Sequence, residues 1–195
     1  MAGSKKVFTT LGSSNHALEN REAFDYYATD PKAVEMLLEL EQFAPVIWEP
    51  ACGEGHISKV LQAHGYEVIS TDLVYRGFGD PEPLDFLTET LDGFEGDIIT
   101  NPPYSAGLEF VQRALESVRP GGKVAMFLKV QFLEGQKRGA FFKNTPPPEL
   151  STYPVQGFLV PRMGDFERFP DSAIAYAWYV WEKGFTGDPV IKWFN

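Results

Sequence analysis

The sequence predicts an α/β domain built on a largely parallel sheet, and three observations carry that expectation. Short apolar segments of strand length alternate with helical patterns of roughly ten to fifteen residues, the rhythm of βαβ units. Glycine-rich or proline-rich loops follow directly after two of those strands, where an open α/β sheet presents its ligand crevice. The chain has 195 residues, 44% of them hydrophobic and 14% aromatic, which suits one domain with a sizeable core.

Each element has its own warrant. Residues 1–25 are polar, with Gly12, Ser13, Ser14 and Asn15 together, and read as a flexible arm before a domain over 26–195. Asp30-Pro31 reads as an N-cap followed by proline in the first helical turn. Val34, Leu37, Leu38 and Phe43 follow at helical spacing until Pro45 stops them. Residues 46–49 form a short strand, Ile57, Val60 and Leu61 mark a helix ended by Gly65, and 67–71 form a second strand ending at Asp72. The stretch 74–96 is rich in Gly, Pro and acid, with a short strand expected near 84–87. A third clear strand, 97–100, runs straight into Asn101-Pro102-Pro103-Tyr104. Leu108, Val111, Leu115 and Val118 then give a helix closed by Pro120-Gly121-Gly122, and 123–128 is another strand. Six prolines between 144 and 171 predict a loop or irregular insertion. Residues 172–182 are dense in strand formers and fit a buried strand late in the sheet, although periodicity alone leaves a helix open.

Composition excludes several classes. The one cysteine, Cys52, permits no intramolecular disulfide and points to a reducing compartment. No stretch approaches ~18 uninterrupted apolar residues, so no membrane span is expected. Residues 1–20 hold no apolar run suited to a signal peptide. The expectation is a soluble cytoplasmic protein. His16, His56 and His64 show no metal-ligand spacing, so no metal site is expected. Net charge is −10, but residues 1–100 carry 6 basic and 18 acidic side chains while 101–195 carry 11 and 9. An asymmetry of this kind suits one face built for an anionic partner.

Two constellations carry chemistry. In Glu49-Pro50-Ala51-Cys52-Gly53-Glu54-Gly55-His56, between a strand and a helix, Gly53 and Gly55 let the backbone approach a ligand, and Glu49 can accept from a ligand's amino group. Asp72, 23 residues beyond Glu49 at the tip of the next strand, stands where an acid can bind the two hydroxyls of a ribose. Ser58 occupies the last position of a dinucleotide fingerprint, and no phosphate-binding lysine follows the glycines, so a nucleoside fits better than a dinucleotide. In the second constellation, tandem prolines fix the backbone after Asn101 and hold its amide rigidly at the strand's carboxyl end. A carboxamide oxygen, a backbone carbonyl and the Tyr104 ring together suit a planar amine. The oxygens accept its two N–H bonds and the ring stacks on its plane.

On these two motifs the chain resembles the class I S-adenosylmethionine-dependent methyltransferases of the amino-methylating kind. That group carries a D/N/S-P-P-Y/F/W signature and methylates adenine N6, cytosine N4 or a glutamine amide. The resemblance covers about residues 26–130, and the chain as a whole is similar to compact methylases of phages and prophages. It implies a single-domain Rossmann-like fold, a mostly parallel seven-stranded sheet with helices on both faces, and S-adenosylmethionine as cofactor. Glu49, Pro50, Ala51, Cys52, Gly53 and Gly55 match the cofactor loop, and Asp72 the ribose acid with Leu73 beside it. Asp85 and Phe86 match the pair that meets the cofactor's adenine. Asn101, Pro102, Pro103 and Tyr104 match the catalytic signature, with Asn101 also against the cofactor. Tyr27 and Thr29 are similar to the segment that covers the methionine end, with Asp30 intervening where Thr-Pro is usual. Ala51 replaces the first glycine of the commoner loop.

The resemblance implies methyl transfer to adenine N6 in DNA. Transfer to RNA or to a protein glutamine is the alternative within enzymes, and a catalytically silent cofactor-binding subunit the alternative outside them. The intact Asn101–Tyr104 amine trap argues against the silent subunit. Only 131–171 offers room to contact a nucleic acid, and the stretch 119–168 holds 8 basic and 4 acidic residues. Lys129, Lys137, Arg138 and Lys143 are the candidates for phosphate contacts there. So little recognition surface implies a homodimer or a separate specificity partner.

Overall fold

The computed structural model describes residues 26–89, 92–147, 149–152 and 175–193. The expected arm 1–25 and the part of the expected insertion at 153–171 lie outside the described residues. Helix α1, Pro31–Leu40, starts where the Asp30 side chain accepts from Lys32 N, and Pro31 occupies the first turn, where no amide is missed. It is followed by strand β1, Val46–Glu49, helix α2, His56–Ala63, and strand β2, Glu67–Ser70. Next come strand β3, Asp97–Thr100, a 3-10 turn at Tyr104–Ala106, helix α3, Gly107–Ser117, and strand β4, Lys123–Lys129. Helix α4, Gln136–Asn144, strand β5, Glu149–Thr152, strand β6, Tyr176–Glu182, and strand β7, Val190–Trp193, complete the order.

The strands join one sheet in the order β2-β1-β3-β4-β6-β5-β7. The β1–β2, β1–β3, β3–β4 and β5–β7 pairs are parallel, and β6 runs antiparallel to both β4 and β5. The chain leaves β1 in one direction to β2 and returns on the other side to β3. The carboxyl ends of β1 and β3 therefore border the point where strand order reverses, the place where an open α/β sheet forms its crevice.

Both faces of the sheet are covered. Along β4, Val124, Met126 and Leu128 pack with α3's Phe110, Val111 and Ala114, whereas Ala125 and Phe127 face α1's Val34 and Leu37 and α2's Ile57 and Leu61. Strand β6 alternates the same way, with Ala177, Tyr179 and Trp181 on the first face and Tyr176, Trp178 and Val180 on the second. A strand buried on both faces explains the unbroken run of strand formers, and settles the ambiguity in favour of a strand over Tyr176–Glu182, residues 172–174 lying outside the described residues.

Two expectations change. Residues 84–87 form no strand but a turn, because the Asp85 side chain accepts from Leu87 N and its carbonyl from Thr88 N. The proline-rich stretch after 144 is not loop throughout: 149–152 enters the sheet between β6 and β7.

Candidate functional site

A cavity of about 280 Å³ lies at the carboxyl ends of β1, β2 and β3. Its walls hold Tyr27, Thr29, Glu49, Pro50, Ala51, Cys52, Asp72, Leu73, Asp85, Phe86, Asn101 and Pro103, so twelve residues singled out from the sequence meet in one place. Gly53 and Gly55, also expected in the cofactor loop, are not among the lining residues. They hold left-handed backbone, φ +55° and +77°, which a side chain would strain. The space beside them is filled by the protein's own rings: a Cβ at Gly53 would strike Tyr26, and one at Gly55 would strike Phe78.

Glu49 is buried and accepts from both the backbone amide and the hydroxyl of Ser58, whose hydroxyl also lies 2.7 Å from that of Ser70. Ser58 is thus explained without a dinucleotide, since it ties helix α2 to the acid at the end of β1. Burial, with a smaller contribution from the Asp72 charge, pushes the Glu49 carboxyl up to about 8. Burial likewise pushes the Cys52 thiol up to about 12, which makes it packing rather than a nucleophile. His56, also on the wall, has its basicity lowered by burial.

Asp72 is more heavily engaged than the sequence implied. One oxygen accepts from Gly53 N at 2.8 Å, and the other from Val74 N at 2.8 Å and from the Arg76 guanidinium at 3.1 Å. Arg76 and Tyr26 were not singled out from the sequence; both line the cavity, with the guanidinium 4.5 Å from the centre of the Tyr26 ring. A cation four residues after the acid was the available signal. On the opposite wall, Leu84, Leu87 and Phe110 join Phe86, which packs edge-on against Trp48 at 5.0 Å. This apolar slot is floored by aromatic rings, with the half-buried Asp85 at its rim.

At the far end, Asn101 follows β3. Its amide nitrogen donates to the Tyr27 carbonyl at 2.9 Å and to the Thr29 hydroxyl at 3.0 Å. The carbonyl can only accept, so this bond fixes which end of the carboxamide is nitrogen. The other end, Oδ1, is buried and has no hydrogen-bond partner among the described residues. Pro102 is buried, and the Tyr104 ring stacks on Tyr27 with centroids 5.1 Å apart and planes 22° apart.

Tyr104 faces a second cavity of about 260 Å³, lined with Tyr27, Ser105, Leu128, Lys129, Gln131, Phe132 and Arg138. Tyr27 and Ser105 border both spaces. The Lys129 ammonium lies 4.7 Å from the Tyr104 ring centre, and Arg138 lies over Phe132 at 5.2 Å. The structure therefore brings Lys129 and Arg138 into one cavity with Tyr104. Lys137 is exposed on α4, and Lys143 lines a separate groove with Phe142, Pro146 and Phe185. Among the described residues no group of three or more His, Cys, Asp or Glu could hold a metal ion, and no helix is long and apolar enough to cross a membrane.

No family model and no curated protein matches the sequence. Solved structures do match. A protein from Listeria monocytogenes described as a class I S-adenosylmethionine-dependent methyltransferase aligns with TM-score 0.63 and 13% identity over 92% of this chain and 69% of that one. The modification subunit of a type I restriction enzyme from Vibrio vulnificus aligns with TM-score 0.61 and 15% identity over 86% of this chain and 47% of that one. The M protein of the EcoKI type I restriction enzyme aligns with TM-score 0.56 and 15% identity over 86% of this chain and 46% of its own. The chain has the fold of class I S-adenosylmethionine-dependent methyltransferases. It spans about half the length of the restriction-enzyme subunits it matches.

The cavity suits that cofactor. The apolar slot at Phe86 fits a purine, Asp72 fits a diol, and the buried Glu49 carboxyl fits an ammonium. The unpartnered Asn101 oxygen is buried beyond the end of β3, in a residue that lines the cavity.

Proposed function

We propose that this protein is an S-adenosylmethionine-dependent N-methyltransferase that methylates the N6 amino group of adenine in DNA. The observation that carries the reading is the Asn101 carboxamide. Its nitrogen is held by Tyr27 and Thr29 while its oxygen is buried without a partner, in a residue that lines the cavity. A buried acceptor left unsatisfied is costly unless a ligand supplies the donor.

The bound cofactor supplies an electrophilic methyl group on a sulfonium. The residues of the chain do the rest. Phe86 and Leu84 hold the adenine, and Asp72 the ribose. Glu49 holds the ammonium as a carboxylate, releasing its proton when that charge arrives. Asn101 Oδ1 and the Pro102 carbonyl accept the two N–H bonds of the target amine, drawing its lone pair out of conjugation with the ring. The Tyr104 ring, covered here by Tyr27 and by the Lys129 ammonium, meets the target base once one of them moves aside, and the base must leave its stack to reach Asn101. Catalysis in this scheme is positioning plus hydrogen-bond polarisation, with no covalent intermediate on the protein.

The match to modification subunits of restriction enzymes supports DNA as the substrate, and their being subunits supports a partner chain or second copy. Lys129 and Arg138 beside Tyr104 support a polyanionic substrate. Incubation with radiolabelled S-adenosylmethionine and, in parallel, duplex DNA, single-stranded DNA, RNA and protein tests the reading. Label on DNA, released as N6-methyladenine on hydrolysis, is the expected outcome. Label on RNA or on glutamine alone would redirect the substrate, and label on none of the four would sink the activity.

A further inference from the structure

Asp72 poses a counting problem. A carboxylate has roughly four acceptor positions, and three are already used by Gly53 N, Val74 N and Arg76 Nη1. A ribose diol brings two donors, so it needs two positions and finds one open. Two of the present donors are backbone amides fixed by the loops that shape the cavity. The third is a side chain. The Arg76–Asp72 pair is also partly shielded, with side chains 18% and 13% exposed, and Arg76 further donates to the Val74 carbonyl. Its guanidinium rests on the Tyr26 ring, and the Tyr26 hydroxyl donates to Glu54. Tyr26, Asp72, Val74 and Arg76 all face the same cavity.

We infer that Arg76 is an internal competitor for the ribose subsite. It neutralises Asp72 in the free protein and must leave that carboxylate for a ribose diol to bind with both hydroxyls. The inference rests on the proposed cofactor reading. Arg76 sets cofactor affinity without contributing a bond to the diol. An attraction between full charges weakens with ionic strength, whereas hydroxyl-to-carboxylate hydrogen bonds of a net-neutral ligand respond far less.

Calorimetric titration with S-adenosylhomocysteine tests this, since that ligand keeps the ribose and carries no net charge. Wild-type affinity should rise only modestly between about 0.05 and 0.5 M KCl, because a partly shielded ion pair is screened less than an exposed one. Arg76→Ala should bind about tenfold more tightly at low salt, the scale of a hydrogen bond between charged groups, and should show little salt dependence. Arg76→Lys, which keeps the charge, should stay near wild type. The gain in Arg76→Ala should vanish with the 2′,3′-dideoxy analogue. Weaker or unchanged binding by Arg76→Ala, or a gain that persists with the dideoxy ligand, overturns the inference while leaving the methyltransferase reading intact. Absence of binding by every form, wild type included, overturns that reading and this inference with it. Arg76→Gln, which keeps most of the length of the side chain and removes its charge, should show the same gain and decides the matter if Arg76→Ala does not fold.

Discussion

At the residue scale the site is a set of polar groups whose partners are partly provided and partly left open. Asn101 is the clearest case. Replacing it with Ala removes the open acceptor together with two bonds that pin residues 27–29. The proposed role predicts that Asn101→Ala lowers the methyl-transfer rate on the order of 10²–10³-fold, the range for loss of one preorganised polar group at a reacting centre. Cofactor affinity measured by calorimetry should change by only about threefold, because the lost acceptor serves the amine. Wild-type turnover in the folded variant would remove Asn101 from the chemistry. Glu49 offers a second test through pH. Its carboxyl is raised from an ordinary value near 4.5 to about 8, so between those pH values the native state keeps a proton that the unfolded chain has released. Stability of the free protein attributable to this group therefore falls as pH rises through that window. Glu49→Gln keeps an acceptor for Ser58 without the ionisable group. It should melt higher than wild type at pH 8 and about equally near pH 4.5, while losing affinity for the cofactor's ammonium. Identical pH slopes in the two proteins would show that Glu49 titrates normally.

At the element scale, α1 links stability to the site. Its N-cap, Asp30, directly follows Thr29, and Thr29 and Ala28 are buried against the loop that holds Asn101. Asp30→Ala should cost about 0.5–2 kcal/mol in chemical denaturation, the usual range for a lost N-cap side chain. A loss well below that would mean that Pro31 and packing alone start the helix. The cap was legible in the sequence because it is local: a capping side chain and the proline directly after it state where the helix begins. Strands β1 to β4 and β6 were legible for a similar reason, since a short apolar run between turn signals has few other uses. Helix α4 and strands β5 and β7 were not. Gln136–Asn144 buries no residue and so shows no apolar stripe, and β5 and β7 are four-residue strands set beside prolines and held by pairing partners distant in sequence. The site divides the same way. Motifs contiguous in the chain announced Glu49, Asp72 and Asn101. Tyr26 against Gly53, Ser58 against Glu49 and Arg76 against Asp72 depend on how the loops turn, which local sequence does not encode.

At the scale of the whole molecule, an acidic protein has to present a positive entrance if it is to handle nucleic acid. Net charge is −10, and the first hundred residues, which build the cofactor cavity, carry three times as many acids as bases. Charge attraction must therefore come from the second half, and the structure narrows it further. Lys129 and Arg138 flank Tyr104 in the second cavity, whereas Lys137 and Lys143 project elsewhere. Arg138 is also held in place, donating to the Glu134 carbonyl at 2.7 Å while lying over Phe132, so ordering it on a phosphate costs less entropy than ordering a free side chain. Two phosphate contacts predict that log affinity for duplex DNA falls with log salt at a slope near −1.8, about −0.9 per contact. Changing Lys129 and Arg138 together to Ala should remove most of that slope and raise the DNA KM, with cofactor affinity unchanged. Changing Lys137 and Lys143 together should leave most of the slope in place. So few contacts cannot read a sequence, because phosphate bonds position a duplex without specifying its bases. Discrimination among DNA sequences by the isolated chain should accordingly be poor, and should sharpen only when a second copy or a specificity chain is added to the assay. A KM for DNA that ignores salt would sink the electrostatic account, and sharp sequence preference by the chain alone would sink the dependence on a partner.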